Sequence, residues 1–496
     1  METLANLGAG FEAVLTLQNL FYCFVGVTMG TFIGALPGLG AMLGIALLLP
    51  VTLYLPAEAS IIMLAGIYYG GEYGGSISAI LINVPGTPSS TVATLDGHQM
   101  ARQGKAAVAL FASALASFLG GSIGIVLMIL FSPIIASFAL NFGSVEYFAV
   151  MLVGLLGAAS VSSGSRLKAY VAVLLGLLFG TMGADISSGV QRFTFGFSEF
   201  ISGISLVALA MGLFGFAEII CAQTKIISDK AKSHVRMRDM IPSRDEWRRS
   251  FGPFWRGTSL GALLGALPGT GPTIASFMAY SQEKRLSRTP EIFGKGAIEG
   301  LVAPESANNA AAQTAFIPTL TLGIPGTATM ALILGALIVQ GIQPGPRMMT
   351  ENSDLFWTLI ASFWVGNLLL LVLNIPLVGL WVKLVSVPYR FLFPCIICLI
   401  CVGIYSIELS TFGVWVIIGT GLLGCIMRTV AIPAAPLLMG FILGPLMEEN
   451  LKRALQISRG DFTVFITSPI SAVCMMLVLV IILMPLIIRV VKRSAR

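Results

Sequence analysis

The sequence predicts an all-α polytopic membrane protein made of two inverted-topology repeats with broken, re-entrant helices, plus one extra C-terminal helix. Three observations predict it. The chain is apolar almost throughout, a two-part Gly/Pro phrase occurs twice, and the charges at matched loops of the two occurrences are mostly opposite in sign.

Of 496 residues, 56% are hydrophobic and only 10% charged, with mean hydropathy +0.91; soluble domains carry about 25% charged residues. Apolar stretches at 107–130, 149–162, 201–222, 355–382, 391–407, 411–427 and 464–488 are, with their flanks, long enough to cross a bilayer. Short broken helices escape such counting, so roughly ten to fourteen membrane segments are expected. The pI near 9.0 does not indicate nucleic acid, because the basic residues sit between apolar runs, where the positive-inside bias puts them. The N-terminal Met1-Glu2-Thr3 lacks the positive start of a signal peptide, so no cleavage is expected.

The repeated phrase is Gly34-Ala35-Leu36-Pro37-Gly38-Leu39-Gly40, returning as Gly265-Ala266-Leu267-Pro268-Gly269-Thr270-Gly271. Each copy is followed by a second phrase, Val84-Pro85-Gly86-Thr87 in the first half and Ile324-Pro325-Gly326-Thr327 in the second. Weaker matches continue in the same order, Ser144-Val145-Glu146-Tyr147 with Ser386-Val387-Pro388-Tyr389 among them. This collinearity divides the chain into membrane repeat 1 (12–222), a basic linker (223–253), membrane repeat 2 (254–463) and a further transmembrane helix (464–490).

The loop charges give the orientation. The loop 49–58 has no Lys or Arg, whereas its counterpart carries Lys284, Arg285, Arg288 and Lys295. Arg102 and Lys105 face Glu351 and Asp354, with Arg347 diluting the contrast. Glu146 falls opposite Lys383 and Arg390, Arg166 and Lys168 opposite Glu408, and Asp185 opposite Arg428. Lys and Arg collect on the cytoplasmic side, so matched loops are expected on opposite faces. The linker, with Lys225, Lys230, Arg236, Arg244 and Arg249 among its basic residues, and the tail from Arg489 are then cytoplasmic, and the N-terminus faces outward.

Pro lacks an N–H and Gly tolerates unusual backbone angles, so Pro-Gly in an apolar segment ends a helix at membrane depth. Such breaks are buried in protein or line a wet cavity. A half-helix N-terminus there suits an anion, and the freed carbonyls with nearby hydroxyls suit a cation such as Na⁺. The second phrases are therefore the expected substrate contacts: Asn83, Pro85, Gly86, Thr87, Ser89 and Ser90 in the first half, Pro325, Gly326 and Thr327 in the second, with Asn308 and Asn309 just upstream. The first phrases, Pro37, Gly38 and Gly40 with Pro268, Gly269, Thr270 and Gly271, are the expected cation site. No Lys or Arg occurs from Gly34 to Thr91 or from Glu299 to Gln343, so an anion would be held by N–H groups and hydroxyls with co-bound cations.

Glu72 and Glu305 read as intramembrane carboxylates, costly there unless paired or functional, and are candidates for ion coupling. Asp96 and His98 read as solvated loop residues. Cys395, Cys398 and Cys401 share one helix stripe with no His or acid beside them and read as buried small residues at a helix interface, not as a metal or iron–sulfur site. No metal beyond Na⁺ and no other cofactor is expected. The first phrase lacks the Gly-Lys-Ser/Thr ending of a phosphate loop, and with two histidines in the chain no nucleophile–base pair suggests an enzyme.

The doubled Gly-Ala-Leu-Pro-Gly, Tyr73-Gly74-Gly75-Ser76, Asn83-Val84-Pro85-Gly86, Arg192-Phe193-Thr194-Phe195-Gly196, Ala303-Pro304-Glu305-Ser306-Ala307-Asn308-Asn309-Ala310 and the stretch from Gly440 to Leu455 resemble the large membrane subunit of tripartite tricarboxylate transporters, over nearly the whole chain. The resemblance implies secondary active uptake of citrate or related di- and tricarboxylates across a bacterial inner membrane, coupled to a cation gradient, usually Na⁺. It also implies a small transmembrane partner subunit and a periplasmic substrate-binding protein. Because the family varies around Ser76 and Thr87, another organic anion such as an aromatic acid, with proton coupling, is the alternative. An anion channel fits less well, since the internal symmetry and nearly uncharged breaks do not resemble a filter ringed by charge.

Overall fold

A computed structural model describes residues 2–36, 38–161, 165–185, 188–221, 239–385 and 389–494. The first half contains α1 (Glu2–Val14), α2 (Leu17–Ala35), α3 (Gly40–Thr52), α4 (Ala57–Ile82), α5 (Ala93–Met100), α6 (Ala106–Ala139), α7 (Ser144–Val161), α8 (Arg166–Gly180), α9 (Leu206–Ala210) and α10 (Ala217–Cys221). The second contains α11 (Arg244–Gly265), α12 (Gly271–Leu286), α13 (Glu299–Thr314), α14 (Phe316–Leu322), α15 (Ala328–Val339), α16 (Met348–Glu351), α17 (Ser353–Asn374), α18 (Val378–Val385), α19 (Tyr389–Glu408), α20 (Phe412–Thr429) and α21 (Ala434–Ile457). The chain ends with α22 (Val464–Thr467) and α23 (Pro469–Ser494). Among the described residues, the one strand pairing joins Gly183–Ala184 to Gln191–Arg192.

Five helical stretches of the described residues are long and apolar enough to cross a membrane, and five shorter apolar helices accompany them, Gly40–Thr52 and Ala328–Val339 included. This is an all-α multi-pass membrane protein. The core helix α4 falls outside that set because it carries Gly, Ser and Glu where a simple span carries Leu, and α13, which carries Ser, Asn and Glu, because it has only 16 residues. Those residues are buried by protein, as polar groups at membrane depth must be.

Close packing of small residues assembles each half. Gly26, Gly30 and Gly34 of α2 lie against the carbonyls of Met63, Ile67 and Gly71 on α4, leaving no room for a Cβ. Gly257, Gly261 and Gly265 of α11 lie in the same way against those of Ala303, Ala307 and Ala311 on α13. Without a hydrophobic force between helices in lipid, such backbone approach is a main source of association. The two ladders also fix how the halves align: Gly34 corresponds to Gly265 and Gly71 to Ala311, so the second half holds nine more residues between these helices. They lie in the longer α12 and the loop after it.

The halves interlock. Gly120 and Gly124 of α6 pack on Ser306 and Ala310 of α13. In return, Phe363 of α17 stacks on Tyr69 of α4 (5.1 Å between centroids) and on Phe316 of α14 (4.7 Å). The helix α11 opens with a capping box in which Ser243 and Glu246 satisfy each other's backbone N–H groups, so the described end of the linker is already helix. The first part of the linker, 223–238, lies outside the described residues.

The cysteine expectation needs correction. Cys395 and Cys398 are exposed and Cys401 half-buried, because α19 carries this stripe on the outside of the bundle, where apolar side chains meet lipid. Cys221 and Cys425 are joined as a disulfide between α10 and α20.

Candidate functional site

The first break of each half has one geometry. In the first half, α2 ends at Ala35, Leu39 N–H donates to Leu36 O (3.3 Å), and Gly38 and Gly40 have φ of 77° and 67°. In the second half, α11 ends at Gly265, Thr270 N–H donates to Leu267 O (3.4 Å), and Gly269 and Gly271 have φ of 90° and 60°. Positive φ at both positions is what glycine supplies without strain. Pro268 is half-buried beside them; Pro37 lies outside the described residues.

The second breaks also match. The helix α4 ends on Asn83 (φ 59°, ψ 25°) and α14 on Gly323 (φ 69°, ψ 25°), both left-handed, as helix ends followed by X-Pro commonly are. The hydroxyl of Thr327 then accepts from Met330 N–H (3.1 Å), capping α15. The hydroxyl of Thr87 accepts from Ser90 N–H (3.4 Å) in the same relative position, and Ser90 in return accepts from Thr87 N–H (3.2 Å).

The two phrases of each half meet. Gly38 N–H donates to Pro85 O (3.2 Å) and Gly269 N–H donates to Gly326 O (2.9 Å). Each half thus crosses two helix breaks, main chain to main chain, satisfying groups that helix termini leave open.

Between the halves lies a buried polar cluster. Glu72 is 7% exposed and Glu305 2%. Glu305 accepts hydrogen bonds from Ser76 of α4 (2.8 Å) and from Ser113 (3.1 Å) and Ser117 (3.2 Å) of α6. Glu72 accepts from Ser89, whose hydroxyl is 2.9 Å from that of Thr87. Asn308 of α13 faces Glu72 from the other half, yet neither of its amide atoms makes a hydrogen bond of normal geometry. Tyr73 donates to Asn367 Oδ1 (2.7 Å) and Asn367 donates to Phe118 O (2.9 Å), tying α4, α17 and α6 together. Among the described residues no Lys or Arg pairs with either carboxylate.

Of the expected site residues, Gly86, Thr87, Ser89, Ser90, Asn308, Pro325 and Gly326 are buried at the breaks or the cluster. Asn309 is buried and donates to Glu305 O (3.1 Å), a helix-internal bond. Asn83 is exposed. Asp96 corrects its expectation: it is fully buried, and its Oδ1 accepts N–H groups of Gly294 (2.9 Å), Gly296 (2.8 Å) and Ala297 (2.8 Å) while Tyr280 donates to Oδ2 (3.0 Å). A carboxylate can enter the interior when several donors converge on it, here from the loop leading into α13. Sequence reasoning missed Ser113, Ser117 and Asn367. Ser113 and Ser117 are spaced one helical turn apart in an apolar run, the signal that was there to read.

The sequence pattern of the tripartite tricarboxylate transporter TctA family matches residues 20–439. An uncharacterised 52.8 kDa protein from the region 3′ of ttuC′ in TAR-I of Agrobacterium vitis is 51% identical over 472 residues, 95% of this chain and 94% of that protein. A second A. vitis protein, from the region 3′ of ttuC′ in TAR-II, is 57% identical over 227 residues, 46% of this chain and 94% of that protein. No solved structure matches the chain. With its apolar helices, doubled breaks and family pattern spanning most of its length, the chain belongs to the tripartite tricarboxylate transporter TctA family, as one component of a multi-part membrane transporter.

Proposed function

We propose that this chain is the permease that imports citrate or a related di- or tricarboxylate across a bacterial inner membrane by Na⁺ symport. It takes substrate from a periplasmic binding protein and works with a small transmembrane subunit. The observation that carries the reading is the pair of joined helix breaks in each half, set around a buried oxygen-rich cluster whose carboxylates pair with no basic side chain among the described residues. At the second-half break, the first-turn N–H groups and positive dipole end of α15 are suited to a substrate carboxylate, with Thr327 fixing the cap. Cations held by the cluster offset the charge of carboxylates and substrate together.

An inverted repeat supplies the two faces that alternating access requires. Its support is that Lys168, at the start of α8, donates to Val430 O just past the end of α20, so these matched helices begin on opposite faces. The broken bundle moves against a scaffold of regular helices such as α6 and α17.

The test is uptake of labelled citrate and a carboxylate panel into cells carrying this chain, its partner subunit and its binding protein, with and without a Na⁺ gradient. Uphill accumulation that needs Na⁺ is the expected result. Accumulation that ignores Na⁺ but collapses with a protonophore selects the second reading, a proton-coupled carrier for this or another organic anion, which the two unpaired buried carboxylates favour. Passive flux with no uphill accumulation of any carboxylate defeats the carrier reading.

A further inference from the structure

We infer that Glu72, Thr87, Ser89 and Asn308 form a binding site for one desolvated monovalent cation, Na⁺, at the seam between the halves. This assigns to the ion the hydroxyls that the sequence pattern offers to substrate, and it rests on the carrier reading only for its part in coupling.

The ligand set is oxygen-rich, as a hard cation prefers. It consists of the Glu72 carboxylate, the hydroxyls of Ser89 and Thr87 that line up on it, and the amide oxygen of Asn308. Asn308 sets this cluster apart from the one around Glu305. It is 1% exposed and faces Glu72, and neither of its amide atoms makes a hydrogen bond of normal geometry. A buried amide without well-formed hydrogen bonds is costly, and an inserted cation gives its oxygen a partner. One turn back on α4, the Tyr68 hydroxyl is also buried and unpartnered. Around Glu305, by contrast, three serine hydroxyls already donate to the carboxylate.

Charge leads the same way. A substrate carboxylate on Ser89 or Thr87 would lie against Glu72 with no positive side chain among the described residues between them, a repulsion amplified at low dielectric. A single positive ion there neutralises Glu72 and makes the neighbouring break hospitable to an anion. Three of the ligands come from the first half and Asn308 from the second, so the complete site exists only while α4, the Thr87–Ser89 turn and α13 are together. Ion occupancy therefore reports, and biases, the arrangement of the halves.

The full chain, purified in lipid nanodiscs, is assayed for ²²Na⁺ binding with choline as the balancing cation, for wild type, E72Q, N308A and S89A, each checked for a monodisperse elution profile. Saturable binding by wild type, with the half-saturating concentration raised about tenfold or more in E72Q and N308A and less in S89A, is the expected result. A wild type that binds no Na⁺, or an E72Q or N308A chain that binds like wild type, overturns the site. Should E72Q not fold, N308A and S89A decide, since both keep the carboxylate. Thermal stability that follows pH but not Na⁺, with the dependence lost in E72Q, overturns it in favour of a proton. Na⁺ binding at Glu72 without uptake of any carboxylate leaves the site standing and sinks the carrier function; Na⁺-dependent uptake that survives N308A with unchanged Na⁺ affinity does the reverse.

Discussion

The two helix breaks that follow the second phrases look alike in backbone and differ in tightness. In the first half, Gly86 is pressed onto the Gly34 carbonyl and its N–H donates to Gly75 O (3.3 Å), so three glycines from α2, α4 and the break converge with no space for a side-chain carbon. In the second half, a Cβ on Gly326 would find Gly265 O, Leu267 O and Pro268 at 3.9 Å, ordinary contact. The first half also holds Asp96, wired by four donors to the entrance of α13 and to Tyr280, where the residue at the same distance past the second phrase on α15 is the apolar Ala336. Duplication thus kept the fold of the break while one copy became a fixed, polar, clamped element and the other stayed roomier.

The largest effect is expected from Gly86→Ala. The added methyl meets main chain on two sides and nothing there can rotate away, so the cost is about 3 kcal/mol or more. The variant should accumulate poorly and, where purified, unfold several degrees earlier. A stable Gly86→Ala chain would break the contrast between the two halves at its root.

Next comes Asp96→Ala, which strands the buried Ala297 N–H and releases the more exposed N–H groups of Gly294 and Gly296, a loss of about 1–3 kcal/mol. Asp96→Asn keeps an acceptor oxygen and should recover part of the loss. Thermal unfolding of both variants checks this order; equal stability of wild type and Asp96→Ala would remove the clamp from the comparison.

The third prediction concerns the helix ends that the halves share. Gly323 is left-handed at φ 69° and Asn83 at φ 59°. Gly323→Ala should cost about 1 kcal/mol, since a left-handed alanine is disfavoured by roughly 1–2 kcal/mol, while Asn83→Gly should change stability by a few tenths. Equal losses at both positions would mean that Asn83 contributes through contacts other than its backbone angle.

These positions also separate what the sequence discloses from what it hides. The breaks were legible because Pro and Gly impose local backbone constraints, and the doubled phrase located both copies and their order. The meeting of the phrases, Gly38 with Pro85 and Gly269 with Gly326, was implied by their pairing in each half without being stated by any one residue. The matching of α4 with α13 was blurred by the longer connection in the second half, so the register appears only once Gly34 and Gly265 are seen on Gly71 and Ala311. Asp96 was misread because the donors that admit a carboxylate to the interior, Gly294, Gly296, Ala297 and Tyr280, lie some two hundred residues away in sequence, and three of them are main-chain groups that no motif displays. Ser113 and Ser117 were hidden by company: a serine in an apolar helix more often bonds its own backbone, and only the approach of Glu305 from the other half gives these two a different partner.

The smallest structural effect belongs to Gly326→Ala, and that makes it the sharpest probe of the pair. Its backbone angle is open to alanine and its methyl meets nothing closer than 3.9 Å, so unfolding should shift by less than about 0.5 kcal/mol, as for substitutions away from special features. The methyl nonetheless enters the space in front of α15, where the proposed substrate carboxylate meets the first-turn N–H groups. Carboxylate uptake should therefore fall while stability and Na⁺ binding hold, a separation that Gly86→Ala cannot give because its loss of fold removes everything at once. Unchanged uptake by a stable Gly326→Ala chain would move the substrate away from this break, and the roomier half would then owe its looseness to motion in the transport cycle instead of to the ligand it was left open for.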